Sequence, residues 1–209
     1  MQKLPCPLRS GISSRPPILF AMLLLVPAAL LHAADLPPEN ELWNTSPPYP
    51  SALAGVDEQQ RTYDPKPDSP SGKNRVFSSV TLPTYTIHRP ERPNGVGLVI
   101  CPGGGFRDVW LDREGHDLAL WLKQHGITSL VLKYRTRLPG EPASPEAQRD
   151  YQDRVLADAR QAIRILRNRA ADLGLQPDKV GICGFSAGGY LALITSFHLE
   201  PDPAPPGTS

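Results

Sequence analysis

The residues with the clearest chemical potential are Gly184-Phe185-Ser186-Ala187-Gly188, inside the run V-G-I-C-G-F-S-A-G-G at 180–189. The pattern is G-x-S-x-G. It follows a short apolar segment that reads as a strand and precedes one that reads as a helix. A serine on so tight a strand-to-helix turn, a nucleophile elbow, is forced into strained backbone angles. The residues two before and two after it must be small, and Gly184 and Gly188 meet that demand. The turn should lift the Ser186 hydroxyl to the edge of a sheet, at the start of a helix. There, backbone N–H groups and the helix dipole favour a developing negative oxygen. The chemistry expected is attack by Ser186 on a carbonyl carbon, with the Ala187 N–H as one donor to the resulting oxyanion.

A second motif supplies what that chemistry still needs. A tetrahedral intermediate takes a second N–H donor besides that of the residue after the nucleophile. Pro102-Gly103-Gly104-Gly105-Phe106 follows the apolar run V-G-L-V-I-C, which would bring it to the same sheet edge. A glycine-rich turn lets the backbone approach a substrate with its N–H groups unobstructed, so Gly104 and Gly105 are the expected donors. A phosphate loop is disfavoured. No Gly-Lys-Ser/Thr follows, and G-x-G-x-x-G is not matched after Gly103.

The surrounding elements can be read from apolar patterning. Val96 to Cys101 is a short all-apolar run, as in a strand buried on both faces, and Ile127 to Tyr134 and Lys179 to Phe185 read as further strands. Between them, Asp112 to Gly126 and Asp150 to Leu173 read as helices, with a Pro-rich loop at 136–149; Ala187 to Leu199 reads as a third helix. Val76 to His88 predicts one or two strands, broken at Pro83. Alternating apolar strands and helices mean an α/β fold: a mainly parallel sheet flanked by helices. Right-handed crossovers then bring all parallel strand C-termini to one edge, where ligands bind.

The N-terminus calls for separate treatment. Residues 1–17 carry Lys3, Arg9 and Arg15 and no acid; Ile18 to Leu31 is apolar apart from Pro27; Ala33 and Ala34 follow. This is the pattern of an export signal over about 1–34, too short to favour a bilayer span. The expected destination is secreted or periplasmic, with no stable membrane association after cleavage. Residues 35–75 contain eight of the chain's 25 prolines and no apolar periodicity, and read as an extended leader that Trp43 and Tyr49 could pin to the domain. The domain itself is expected over 76–209. Lys and Arg total 22 against 21 Asp and Glu, a balance that excludes a nucleic-acid binder working by bulk charge.

The two glycine motifs, with Glu114-Gly115-His116 and the L-K-Y-R run at 132–135, resemble the α/β-hydrolase superfamily. Within it they are similar to secreted bacterial esterases of the acetylxylan- and feruloyl-esterase kind, relatives of the hormone-sensitive-lipase type. Pro102 departs from the histidine that the lipase relatives carry before their glycines. The resemblance implies a serine esterase acting through an acyl-enzyme on Ser186. The substrate implied is a small ester or an acylated plant polysaccharide, with no metal or organic cofactor.

It also implies an acid and a histidine later in the chain than the nucleophile. After Ser186 stand only His198, Glu200 and Asp202 as candidates. On a continuous helix His198 would lie about 18 Å from the serine. Among the upstream histidines, His125 is expected at the far edge and His116 in a structural role. The economical expectation is therefore a chain that is the N-terminal portion of such a hydrolase and nearly inactive alone. The alternatives are a prolyl-oligopeptidase-like serine peptidase and an inactive remnant. The resemblance also implies that the strands ending in Cys101 and Cys183 are parallel neighbours; a disulfide there would have poor geometry, so the two are expected as buried thiols.

Overall fold

The computed structural model describes residues 35–50, 53 and 55–197. The export-signal reading of 1–34 and His198, Glu200 and Asp202 fall outside the described residues. Three strands carry the centre: β5 (Gly95–Cys101), β7 (Thr128–Lys133) and β8 (Leu175–Gly184). β7 and β8 both pair in parallel with β5, which lies between them. Val99, Ile100 and Cys101 of β5 and Leu130, Val131 and Leu132 of β7 are buried to within about 1 % of full occlusion. Such all-apolar runs suit strands covered on both faces.

Two earlier strands make the sheet mixed. β1 (Asn40–Glu41) and β4 (Thr84–His88) extend it in the order β1-β4-β7-β5-β8, and both their pairings, β1 with β4 and β4 with β7, are antiparallel. A second sheet of three short antiparallel strands joins β2 (Gln59–Thr62), β3 (Arg75–Ser78) and β6 (Asp108–Val109). The segment read as a leader thus supplies β1 and β2 and is only in part without regular structure.

The connections follow the expected alternation. A π-helical turn, Asp112–His116, runs into α1 (Asp117–Gln124), and Gly126 at φ +76° ends it. The chain steps from β5 to β7 in one direction and returns past β5 to β8. Right-handed crossovers therefore place α1 on one face and α2 on the other. α2 spans Pro145–Asn168, five residues longer at its start than its apolar stripe indicated. Ser144 is its N-cap, accepting from the Ala147 N–H at 3.2 Å, and Pro145 occupies the first turn. The proline density of 136–149 masked this capping signal. The helix read as continuous to Leu173 breaks at Arg169 and resumes as α3 (Ala170–Leu173) before β8; α4 (Ala187–Phe197) follows β8.

A buried ion pair ties the N-terminal segment to this frame. Arg135, just after β7, reaches Asp158 of α2 through Nε (2.9 Å) and Nη2 (2.8 Å), and Asp158 is fully occluded. The same carboxylate accepts from the Trp43 indole at 3.0 Å, and Arg135 Nη1 donates to the carbonyls of Pro48 and Tyr49. Removing one partner of such a pair strands a buried charge. Asp158→Ala is expected to cost about 3–5 kcal/mol and to release the 43–49 segment. Denaturant unfolding combined with Trp43 fluorescence would read both effects.

Candidate active site

The register of β5 against β8 sets the site. Cys101 pairs with Gly184, so the two chains leave the sheet side by side at its C-terminal edge. The Phe185 N–H donates to the Cys101 carbonyl at 3.1 Å and fastens the two departures together. Ser186 then sits between β8 and α4 with φ +49°, a left-handed conformation unusual for a residue with a side chain. It is exposed, while Ala187 and Gly188 behind it are buried. A Cβ on Gly188 would stand 2.0 Å from the Cys101 carbonyl oxygen, and one on Gly184 would stand 2.3 Å from the Gly188 oxygen. Neither position can hold a side chain while the turn keeps its shape.

The glycine loop lies against this turn. A Cβ on Gly103 would meet the Phe185 carbonyl oxygen at 2.7 Å and the Ser186 Cβ at 3.2 Å. Gly104 has φ +139°, with the Asp108 carbonyl oxygen 2.0 Å from where its Cβ would be. The loop's carbonyls are taken up by backbone donors that follow it: Gly103 O accepts from Trp110 N (3.1 Å), and Gly104 O accepts from Arg107 N (3.2 Å) and Asp108 N (2.9 Å). Each peptide is planar and trans, so the N–H groups of Gly104 and Gly105 face the opposite way from those carbonyls. Among the described residues neither N–H has a hydrogen-bond partner, and the Ala187 N–H at the start of α4 has none outside its helix. Ser186, Gly104, Gly105 and Ala187, singled out by sequence, are thus brought together at one edge.

An aromatic wall flanks the loop. Phe106, at φ +63°, meets Tyr134, Tyr151 and Tyr190 edge-on at ring distances of 5.5–6.4 Å. Its carbonyl accepts from Arg137 N and from the Tyr151 hydroxyl. The Tyr134 hydroxyl donates to Pro102 O at 2.6 Å, and burial raises that phenol's pKa well above its ordinary value. Sequence reading missed this wall because its members lie on four separate elements and share no spacing.

The histidines of the described residues are engaged elsewhere. His125 caps α1, with Nδ1 2.8 Å from the Trp121 carbonyl. His116 and His88 are buried against each other, Nδ1 to Nε2 at 2.9 Å, and His88 Nδ1 has no partner. Burial lowers His116 to about 4; burial and then the neighbouring His116 lower His88 to about 3. Both are therefore neutral in the folded state across ordinary pH, while in the unfolded chain they charge near 6.5. Below that pH the unfolded state binds more protons, so stability falls with acidification until the folded values are reached. The expected loss is about 1.4 kcal/mol per pH unit for each histidine between 6.5 and 4. Thermal melts from pH 7 to 4.5 should show it, and a His88→Phe/His116→Leu protein should show a shallower slope.

Cys101 and Cys183 are free thiols, but only Cys101 is buried as expected, Cys183 being half-buried. Burial pushes Cys183 up to about 11 and Cys101 higher still, so neither is poised as a thiolate nucleophile. Among the described residues no group of three or more His, Cys, Asp or Glu side chains is placed to hold a metal ion, and no helix is long and apolar enough to cross a membrane.

The BD-FAE family model matches residues 147–201, from α2 through the elbow. An acetylxylan esterase of Xylanibacter ruminicola is 37 % identical over 108 residues, which cover 51 % of this chain and 20 % of that protein. Among solved structures, the α/β hydrolase MGS-M1 from a Medee basin deep-sea metagenome library is 30 % identical, with a TM-score of 0.42 over 52 % of this chain and 43 % of its own. Propionate-bound esterase 2 of Thermogutta terrifontis is 24 % identical, with a TM-score of 0.47 over 65 % and 49 %. The chain spans about a fifth of the length of the acetylxylan esterase and under half of these two structures. With a matched elbow, a related esterase sequence, and a helix-flanked sheet that sets a strained serine beside a glycine loop, this chain is similar to esterase-like α/β hydrolases.

Proposed function

We propose that the full-length protein is an exported serine carboxylesterase that removes acyl groups, acetyl or feruloyl, from plant polysaccharide. The observation that carries the serine mechanism is the left-handed turn of Ser186 packed against a glycine loop whose Gly104 and Gly105 N–H groups have no partner among the described residues. In this reading Ser186 Oγ attacks the ester carbonyl carbon and its proton passes to a histidine base. The carbonyl oxygen becomes an oxyanion held by the N–H groups of Ala187 and of Gly104 or Gly105. The oxyanion then collapses, the C–O bond to the sugar breaks, and the base returns its proton to the departing alcohol. Water, deprotonated by the same base, releases the acid from the acyl-serine. The base and its orienting acid come later in chain order than Ser186, outside the described residues.

The substrate class rests on the related acetylxylan esterase sequence, and the test is direct. The full-length protein should release acetate from acetylated xylan faster than it cleaves a peptide amide. The reverse preference would favour the peptidase alternative. Export rests on the charge and apolar pattern of residues 1–34. Mass spectrometry of the protein recovered outside the cytoplasm should find an N-terminus at Ala34 or Asp35, whereas an intact Met1 would contradict export.

A further inference from the structure

The geometry points to Glu114 as the positioning residue of the oxyanion loop: its carboxylate fixes the Gly103 peptide so that the Gly104 and Gly105 N–H groups keep their aim. The inference rests on the esterase reading above for its catalytic consequence, but the geometry on which it stands is independent of it.

Glu114 lies in the π-helical turn, a rare form that concentrates at functional sites. Both ends of that turn are anchored. Asp112, fully occluded, accepts from Arg75 Nε at 3.0 Å and Nη2 at 2.7 Å, and His116 is held by His88. Gly115 lets the turn close on its neighbours, since a Cβ there would stand 2.6 Å from Val131 Cγ1 and 3.2 Å from Pro102 Cγ. Glu114 Oε2 is thereby presented to the Gly103 N–H at 2.8 Å, a charge-assisted bond to a buried donor. Its other oxygen has only Arg113 Nη2, at 3.5 Å.

This bond completes a clamp on consecutive peptides. The Pro102–Gly103 peptide is gripped at its carbonyl by the Tyr134 hydroxyl and at its N–H by Glu114. The next two peptides are gripped only at their carbonyls, by Trp110 N and by Arg107 and Asp108 N, which leaves their N–H groups for a substrate oxygen. Among the described residues, Glu114 is the only side chain that holds an N–H of Gly103, Gly104 or Gly105. Without it, a buried donor loses its partner and the three-glycine run, which has little stiffness of its own, can rotate toward another acceptor. The carboxylate also approaches the elbow. It and the Ser186 Cβ stand 2.8 Å and 3.2 Å from the same point, the place a Gly103 Cβ would occupy. A shift of the loop therefore changes the distance between the N–H donors and the serine.

The test compares wild type with Glu114→Ala, Glu114→Asp and Glu114→Gln in the full chain. Two readouts are taken: the amide ¹H–¹⁵N shifts of Gly103, Gly104 and Gly105, and the rate at which a fluorophosphonate labels Ser186. Melting temperature shows which variants remain folded. Asp is one methylene too short to reach Gly103, whereas Gln keeps an acceptor oxygen at the same reach. Ala and Asp should move all three glycine resonances and slow labelling by about 100-fold, the scale of one misplaced oxyanion donor; Gln should stay within about 10-fold of wild type, with resonances near their original positions. If Ala does not fold, Asp against Gln gives the same contrast. Unmoved Gly104 and Gly105 resonances in folded Ala or Asp protein would overturn the inference, as would moved resonances with an unchanged labelling rate. Moved resonances in a wild-type background that takes no label would uphold Glu114 as the clamp and sink the serine-esterase reading instead.

Discussion

Ser186→Ala in the full-length protein is expected to reduce hydrolysis of p-nitrophenyl acetate by about 10⁵–10⁶-fold, with little change in melting temperature. The size follows from the loss of the covalent route. The N–H groups of Ala187, Gly104 and Gly105 would still polarise a bound ester, but no atom would attack it, and members of such a catalytic unit fail together. The small effect on stability follows from the position. Ser186 is exposed, and its side chain supports no buried contact that the fold requires. Parallel kinetics and thermal melts check both halves. A variant that kept more than about a hundredth of the wild-type rate would remove Ser186 from the mechanism.

The largest structural effect should come from Gly188→Ala. The added methyl would sit 2.0 Å from Cys101 O and 2.5 Å from Pro102 O, and all the atoms it meets are backbone. No side chain can swing away to make room, so the end of β5 must separate from α4. That separation would also break the Cys101–Phe185 hydrogen bond, which keeps the glycine loop beside the elbow. A cost above about 4 kcal/mol is expected, the range reserved for steric failures in a packed core. Gly181→Ala is the control. It lies in β8, the strand that leads into the elbow, but its methyl would find only Leu98 Cδ1 at an ordinary 3.6 Å. Soluble yield and denaturant midpoints of the two proteins should differ sharply; similar values would mean that the elbow is looser than this packing implies.

The parts of the fold that sequence revealed are those where one local rule governs. The central parallel strands were legible because strands covered by neighbours leave short apolar stretches, such as V-G-L-V-I-C in β5 and L-V-L in β7. The elbow was legible because steric demand restricts two positions to glycine. The antiparallel β1 and β2 were not, because two- and four-residue strands of exposed polar side chains carry no alternation to detect. The start of α2 was misplaced because Ser144-Pro145 was read as loop punctuation when it is a cap followed by a first-turn proline. Glu114 was visible only as part of a resemblance. Its contact with Gly103 depends on the π-helical turn, and no sequence period announces that geometry.

In the proposed mechanism Ser186 is an activated nucleophile aimed at a carbonyl-like centre. The most direct test is reaction of the folded full-length protein with a fluorophosphonate, followed by mass spectrometry of the proteolytic peptides. A single phosphonyl adduct is expected on the peptide containing Ser186, lost in Ser186→Ala. An adduct on another residue, or a folded protein that takes none, would contradict it.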